Sequence, residues 1–177
     1  SRVEKLLDEV RRLAEDILRD LERSMRSNEE LVRKILEKLK ESLESNRRLV
    51  KRILERLREE RKEELARDLL RKLRKHLEDN HKLAEELLKR LEDHVKRNHE
   101  RAKELLDELK KMLKELKDRD VDEKVIREVE RLIEEVKRVV DDTNRRAEES
   151  IKEVRDLVRR TNEEIEKTIE EVDREVK

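Results

Sequence analysis

Apolar side chains recur with an 18-residue period along the first third of the chain. Leu21, Leu39 and Leu57 form one such series. Eighteen residues make five turns of an α-helix at 3.6 residues per turn, so an apolar stripe with this period runs parallel to the helix axis. A strict heptad repeat would instead favour a left-handed supercoil. The pattern therefore predicts long, straight helices with little or no supercoil.

The apolar stripe loses its phase at two places. After Leu57, charged residues occupy the next expected apolar positions, and the stripe resumes at Leu65. It breaks again after Leu116 and resumes at Val125, with Asp122 placed as an N-cap for the helix that follows. The two breaks divide the chain into three predicted helices, at about residues 2–59, 62–117 and 122–176.

The width of the stripe predicts how the helices assemble. About eight of each 18 positions in the first helix are apolar, which is enough to face two neighbouring helices and too few to be surrounded. Short connections between consecutive helices make neighbours antiparallel. The expected fold is all-α, a single-chain, straight, antiparallel up-down-up three-helix bundle forming one domain over residues 1–177. A monomer is expected, because no second apolar face is left for oligomerisation.

Polar side chains interrupt the stripe in duplicated sets, and the two copies of each set are offset by one 18-residue repeat. Folding the helices so that these sets coincide places the turns near residues 61–62 and 120, which are also the places where the apolar phase breaks. The sequence therefore predicts two cross-sectional polar layers with structural roles. Layer 1 consists of Ser24, Ser27, Asn28, His94, Asn98, His99, Thr143 and Asn144, and layer 2 of Ser42, Ser45, Asn46, His76, Asn80, His81, Thr161 and Asn162.

The polar sets have two interpretations. Ser27-Asn28-Glu29-Glu30 fits the capping-box pattern, which would divide the chain into shorter helices. The apolar phase nevertheless passes through each set without an inserted residue, and this favours buried side-chain hydrogen bonds. One repeat earlier on the same stripe the position of Asn28 is apolar, at Val10. Polar groups that are satisfied in only one register would penalise slipped pairings of the helices.

Composition narrows the classes of protein to which the chain belongs. Its 177 residues include no Gly, Pro, Cys, Phe, Trp, Tyr or Gln, which is typical of the restricted set of residues used in protein design. The 50 basic and 50 acidic residues balance, so nucleic acid is not an expected partner. No apolar run approaches the roughly 18 residues of a membrane span, and no signal-peptide pattern is visible. Without cysteine, disulfides and thiolate metal sites are excluded, and the localisation stays undetermined.

Charge also differs between the three predicted helices. Residues 1–60 hold 17 basic and 15 acidic side chains, and residues 61–119 hold 19 and 15. Residues 120–177 hold 14 basic and 20 acidic side chains. Two basic helices are thus expected to pack against one acidic helix, although each exposed ion pair contributes little by itself.

Catalytic and metal-binding patterns are weak. Glu78-x-x-His81 matches the helical ligand pair of di-metal bundles, but the position equivalent to Glu78 in the repeat is Lys96. His76 and His81 are five residues apart, so they point about 140° away from each other around the helix. No catalytic residue, cofactor or metal is expected. A metal-binding helical bundle stays a distant alternative, behind a natural coiled-coil tether or interaction module.

The 18-residue repeat, the restricted set of residues and the duplicated polar sets resemble those of de novo designed, untwisted helical bundles with buried hydrogen-bond networks. That family includes histidine-containing members made to respond to pH. The resemblance covers the whole chain and implies a structural scaffold with no natural biochemical activity. Some members assemble from separate chains, so the resemblance also allows this chain to be the single-chain precursor of a heterotrimeric helical assembly.

The four histidines give the scaffold an expected acid sensitivity. All four belong to the predicted layers, at positions 76, 81, 94 and 99. If each ring is buried and neutral in the folded protein, the unfolded chain binds more protons than the folded one. Stability would then fall as the pH drops through about 6.5, where an unperturbed histidine takes up its proton.

Overall fold

The computed structural model describes residues 1–60 and 63–176. Nearly all of this part of the chain is helical, in α1 (Arg2–Glu60), α2 (Glu63–Asp118) and α3 (Glu123–Val176). Each helix runs through its polar residues without interruption, so the alternative of shorter, capped helices is wrong. The first predicted turn, near residues 61–62, lies outside the described residues.

The connection between α2 and α3 comprises residues 119–122. Asp120 has a φ of 52°, which is the left-handed conformation that often terminates a helix. Asp122 Oδ1 accepts a hydrogen bond from the backbone N–H of Lys124 at 3.3 Å. This contact satisfies one of the N–H groups that a helix start leaves without a partner, and it confirms Asp122 as the N-cap of α3.

The most deeply buried side chains follow the 18-residue repeat on each helix. On each helix, one position of the repeat holds the same residue type in three successive repeats. No member of these three series is more than 2% exposed. At this position of the repeat, α1 therefore buries isoleucine, α2 leucine and α3 valine. The series are Ile17, Ile35 and Ile53 on α1, Leu73, Leu91 and Leu109 on α2, and Val136, Val154 and Val172 on α3.

The described part of the chain divides into two compact units, each containing segments of all three helices. Unit 1 comprises Ser1–Glu30 and Glu92–Ser150. Leu109, Leu116 and Val136 are fully buried in its core, where they pack with Val10 and Ile17 of α1. These side chains form a single aliphatic cluster, so all three helices contribute to one core within this unit.

Unit 2 comprises Leu31–Leu91 and Ile151–Lys177. Its core includes Ile53 of α1, Leu70 and Leu73 of α2, and Val172 of α3, all 5% exposed or less. Partly buried leucines of α1 and α2 pack around this cluster. Unit 2 is thus built on the same plan as unit 1, with an aliphatic cluster in its core.

Contacts within the units give the directions of the helices. In unit 1, Ser27 and Asp20 of α1 contact His94 and Arg101 of α2 respectively, so α1 and α2 run in opposite directions. Lys117 near the end of α2 pairs with Glu130 near the start of α3. The fold is therefore the predicted all-α, antiparallel, up-down-up three-helix bundle. The straightness of the helices remains a prediction.

Candidate functional site

His94 is the centre of the hydrogen bonds found in layer 1. Asn98 Nδ2 lies 3.3 Å from His94 Nε2, and Ser27 Oγ lies 3.0 Å from the same ring nitrogen. An amide nitrogen can only donate, so Asn98 donates to Nε2, and that atom carries a lone pair. The Ser27 hydroxyl, whose proton can rotate, shares this acceptor and links α1 to α2.

The remaining layer 1 residues surround a narrow cavity of about 10 Å³ in unit 1. Asn28 is 7% exposed, and its Oδ1 is buried with no hydrogen-bond partner among the described residues. Asn144 is half-buried and donates to Glu148 Oε1 on its own helix at 3.3 Å. The polar side chains lining the cavity are those of Ser24, Asn28, Asn98, His99, Thr143 and Asn144.

The threonines of α3 direct their hydroxyl groups into their own helix. Thr143 Oγ1 donates to the carbonyl of Val139, and Thr161 Oγ1 donates to the carbonyl of Leu157, each at 2.7 Å. This bond to the residue four positions earlier is a common way for a helical threonine to satisfy its donor. Thr143 and Thr161 therefore satisfy their donors without help from α1 or α2.

Layer 2 links α1 to α2 through two asparagines. Asn80 Nδ2 donates to Asn46 Oδ1 at 3.0 Å. Asn46 is only 3% exposed, and its own Nδ2 is buried without a hydrogen-bond partner among the described residues. Asn46 thus resembles Asn28, its equivalent in the preceding repeat, in its burial and in having one unpaired amide atom. The two differ because a described bond joins Asn46 to a neighbouring helix.

His81 lies at the surface of unit 2. Its side chain is 45% exposed, and its Nε2 lies 2.8 Å from Glu85 Oε1. Asn162 Nδ2 of α3 is 2.6 Å from Nδ1 of the same ring. Because the amide nitrogen donates, Nδ1 is the acceptor and Nε2 carries the proton that points to Glu85. The expectation that His81 is buried is wrong, since water and a carboxylate both reach its ring.

The residues of the two predicted layers differ in burial: some lie in the core, most are half-buried, and a few are exposed. Asn28, Asn46 and Thr143 are buried. Ser27, Ser45 and His81 are exposed, so the prediction that they lie in the core is wrong. The remaining ten are half-buried, namely Ser24, Ser42, His76, Asn80, His94, Asn98, His99, Asn144, Thr161 and Asn162.

A single geometric reason accounts for the exposed members. Successive residues in a helix are separated by about 100° around its axis. Ser27, Ser45 and His81 each stand next to an asparagine of their own set that faces further inward, at Asn28, Asn46 and Asn80 respectively. Two adjacent side chains cannot both point to the bundle axis, so one of each pair is turned towards solvent.

Exposed ion pairs also join the helices within each unit. In unit 2, Arg47 of α1 pairs with Glu164 of α3 at 3.1 Å. In unit 1, Lys117 of α2 pairs with Glu130 of α3 at 3.3 Å. Both pairs place a basic residue of α1 or α2 opposite an acidic residue of α3, in agreement with the charges of the three helices. Their exposure limits each to about 0.2–1 kcal/mol.

Three features of the structure were not identified from the sequence. The contact between His81 and Glu85 has the i, i+4 spacing that allows helical side chains to meet, so the spacing was an available signal. The left-handed Asp120 lies in the predicted turn, where Asp and Asn tolerate this conformation better than most residues. The third is a groove between α1 and α3 beside Asn46, for which the apolar pattern contains no signal.

In residues 1–60 and 63–176, no group of three or more His, Cys, Asp or Glu side chains is arranged to hold a metal ion. None of the helical segments in that part of the chain is long and apolar enough to cross a membrane.

The chain has a likeness in structure, and none in sequence, to known proteins. No protein-family model matches the chain, and no curated protein matches it in sequence. Among solved structures, the chain is similar to a protein described as a computationally designed three helix bundle. The alignment covers 99% of this chain and 86% of that one, with 18% sequence identity and a TM-score of 0.32.

Proposed function

We propose that this chain is a designed, non-enzymatic structural scaffold in which inter-helix polar contacts set the register of the bundle. The observation that carries the proposal is that, among the described residues, hydrogen bonds join layer residues of different helices at Ser27–His94, Asn46–Asn80 and His81–Asn162. In each bond, both residues belong to the same predicted layer. Shifting one helix along another would separate these partners. The cost is about 1–3 kcal/mol for a buried group such as Asn46 and smaller at the exposed Ser27 and His81, where water replaces the lost partner.

Designed origin is supported by the regularity of the interior. Ile17, Ile35 and Ile53 occupy one position of the 18-residue repeat and are at most 2% exposed. At another position of the same repeat, Val10 is apolar and Asn28 and Asn46 are polar, and all three are buried. Insertion of a polar residue into two of three otherwise equivalent sites is the pattern used to specify one pairing against its alternatives. A natural coiled-coil tether would be expected to follow a heptad repeat.

Replacing the layers tests the role in register. In a variant whose buried and half-buried layer residues are changed to Leu, Ile or Val, we expect unchanged or higher stability, because satisfied polar networks are often no more stabilising than apolar packing. The variant should also form several species, since the penalty on wrong pairings is removed. Light scattering after size-exclusion chromatography would measure this. A variant with the same single molar mass as the parent would argue against register setting by the layers.

The proposal includes a response to mild acid centred on His94. The neutral ring accepts at Nε2 from Asn98 Nδ2, and protonation at that atom removes the acceptor. Acid should therefore weaken the contact between α1 and α2.

A further inference from the structure

Ser27 and His94 form a hydroxyl–imidazole pair between α1 and α2 in unit 1. Ser27 Oγ lies 3.0 Å from His94 Nε2, and Asn98 Nδ2 lies 3.3 Å from the same ring nitrogen. Ser27 is exposed and His94 is half-buried, so a small molecule can reach the serine oxygen. A hydroxyl within hydrogen-bond reach of a base that a third side chain contacts is the arrangement that activates a serine nucleophile.

We propose that Ser27 is a site of acylation by activated aryl esters, with His94 as the base. Ser27 Oγ attacks the ester carbonyl, and the hydroxyl proton passes to His94 Nε2. The bond from Oγ to the acyl carbon forms, and the bond from that carbon to the aryl oxygen breaks. The departing aryloxide then takes up the proton from Nε2, directly or through water. The products are O-acyl Ser27, a phenol and the original ring of His94, so atoms and charges balance.

The helical backbone around the pair limits the substrate to esters with a good leaving group. Ser27 and His94 lie inside α1 and α2, so the nearby backbone N–H groups are bonded to carbonyls four residues earlier. These groups are not free to stabilise the negative charge that develops on the attacked carbonyl oxygen. An aryl ester still reacts because its aryloxide leaves readily, whereas an amide does not. Water attacks the acyl-serine slowly for the same reason, so the reaction is a single modification, compatible with a non-enzymatic scaffold.

The 18-residue repeat supplies an internal comparison for this pair. Ser45 and His76 hold the equivalent positions one repeat away, and no hydrogen bond joins these two side chains among the described residues. Ser45 is exposed like Ser27, and each serine precedes a buried asparagine. The two serines therefore differ in their contact with histidine. General-base assistance contributes about 10²–10⁴-fold to a rate, so Ser27 should be acylated at least about tenfold faster than Ser45.

Treatment of the full, unaltered chain with p-nitrophenyl acetate tests the proposal, with acetylation followed by mass spectrometry of tryptic peptides. Trypsin releases residues 27–33 as one peptide, in which Ser27 is the only hydroxyl residue and lysine is absent. It releases residues 41–47 as another, in which fragmentation separates Ser45 from Ser42. We expect acetylation of Ser27 to be at least about tenfold faster than that of Ser45, and this difference to disappear in concentrated urea. Equal rates in the folded protein, or a difference that persists in urea, would overturn the proposal.

Two matched histidine variants test which residue is the base. His94→Asn keeps a polar side chain and removes the base, so acetylation of Ser27 should slow at least about tenfold, to the rate of Ser45. His76→Asn makes the same change one repeat away and should leave the rate at Ser27 unchanged. Equal effects of the two variants, or an unchanged rate at Ser27 in His94→Asn, would show that His94 is not the base. If His94→Asn fails to fold, the comparison of the two serines in the unaltered chain still decides.

Discussion

At the scale of single residues, the polar side chains differ in what they contribute to the fold. Asn46 accepts a hydrogen bond from Asn80 on a neighbouring helix, whereas the buried Oδ1 of Asn28 has no partner among the described residues. The 18-residue spacing predicted that both asparagines share one helix face. It could not predict this difference, because the hydrogen-bond partners depend on side-chain rotamers and on the neighbouring helices, and a single helix pattern specifies neither.

The two asparagines should therefore respond differently to the same substitution. We expect Asn46→Leu to lower the free energy of unfolding by about 1–3 kcal/mol, because Asn80 loses its partner. Asn28→Leu should be neutral or stabilising by up to about 1 kcal/mol, since it removes a buried acceptor that has no partner among the described residues. Urea denaturation of both variants would measure the two changes. Equal losses at the two positions would contradict the assignment of the inter-helix bond to Asn46 alone.

The histidines should also differ in their response to acid. Proton uptake at His94 Nε2 costs the folded state its bond from Asn98, a cost that the unfolded chain does not have. We therefore expect this bond to contribute less to the free energy of unfolding in mild acid than at neutral pH. His81 is exposed and lies 2.8 Å from the Glu85 carboxylate, so we expect a smaller loss of stability there. Loss of one hydrogen bond corresponds to about 0.5–1.5 kcal/mol.

Denaturant midpoints at pH 7.5 and 4.5 would test this difference in the parent, His94→Asn and His81→Asn. We expect the acid-induced decrease to shrink in His94→Asn and to persist in His81→Asn. If the decrease is the same in all three proteins, the 50 acidic side chains carry the effect and His94 does not.

At the scale of helices, sequence periodicity predicted where a helix starts, because the start depends on regular helix geometry. The phase break after Leu116 and the candidate cap at Asp122 predicted where α3 starts, and Asp122 does cap α3. The conformation of Asp120 was not predicted, because a φ of 52° follows from the path of the chain between two packed helices. With no glycine available in the sequence, an aspartate occupies this left-handed position.

Asp120→Gly should stabilise the protein. Glycine adopts positive φ without the steric cost that a Cβ imposes, and a left-handed non-glycine residue costs roughly 1–2 kcal/mol. Part of this gain is lost because glycine also increases the entropy of the unfolded chain, so we expect a net gain of about 0.5–1 kcal/mol. Asp118→Gly, inside the last turn of α2, is the matched control and should be destabilising. A lower thermal midpoint for Asp120→Gly would refute the argument.

At the scale of the whole molecule, the number and pairing of helices were predictable, because the same apolar pattern recurs several times along each helix. The buried series that begin at Ile17, Leu73 and Val136 each follow one helix, and all three have the same spacing. A wrong burial prediction for one residue would therefore not have changed the predicted pattern. The exposure of His81 was not predictable in this way, since it depends on which of two adjacent residues turns inward. Redundancy thus made the fold easier to predict than the individual polar contacts.

The apolar faces also lead to a prediction about assembly. Among the described residues, Leu83 is the one large hydrophobic side chain classed as exposed, at 43%, so little apolar surface is available to a second copy. We expect a molar mass of one chain, 21.7 kDa, over a hundredfold range of protein concentration in sedimentation equilibrium. A mass that rises with concentration, or a stable trimer, would contradict this expectation.

The bonds from the α3 threonines to their own helix have a consequence for recombining helices from different proteins. Because Thr143 and Thr161 donate to the carbonyl groups of Val139 and Leu157, their hydroxyl groups need no acceptor on α1 or α2. A foreign third helix with valine at these two positions would present a similar branched shape to the same neighbours. A foreign first helix would instead need an amide that matches Asn80. In libraries of shuffled helices, we therefore expect more folded clones when α3 is exchanged than when α1 is exchanged, and equal yields would disprove this.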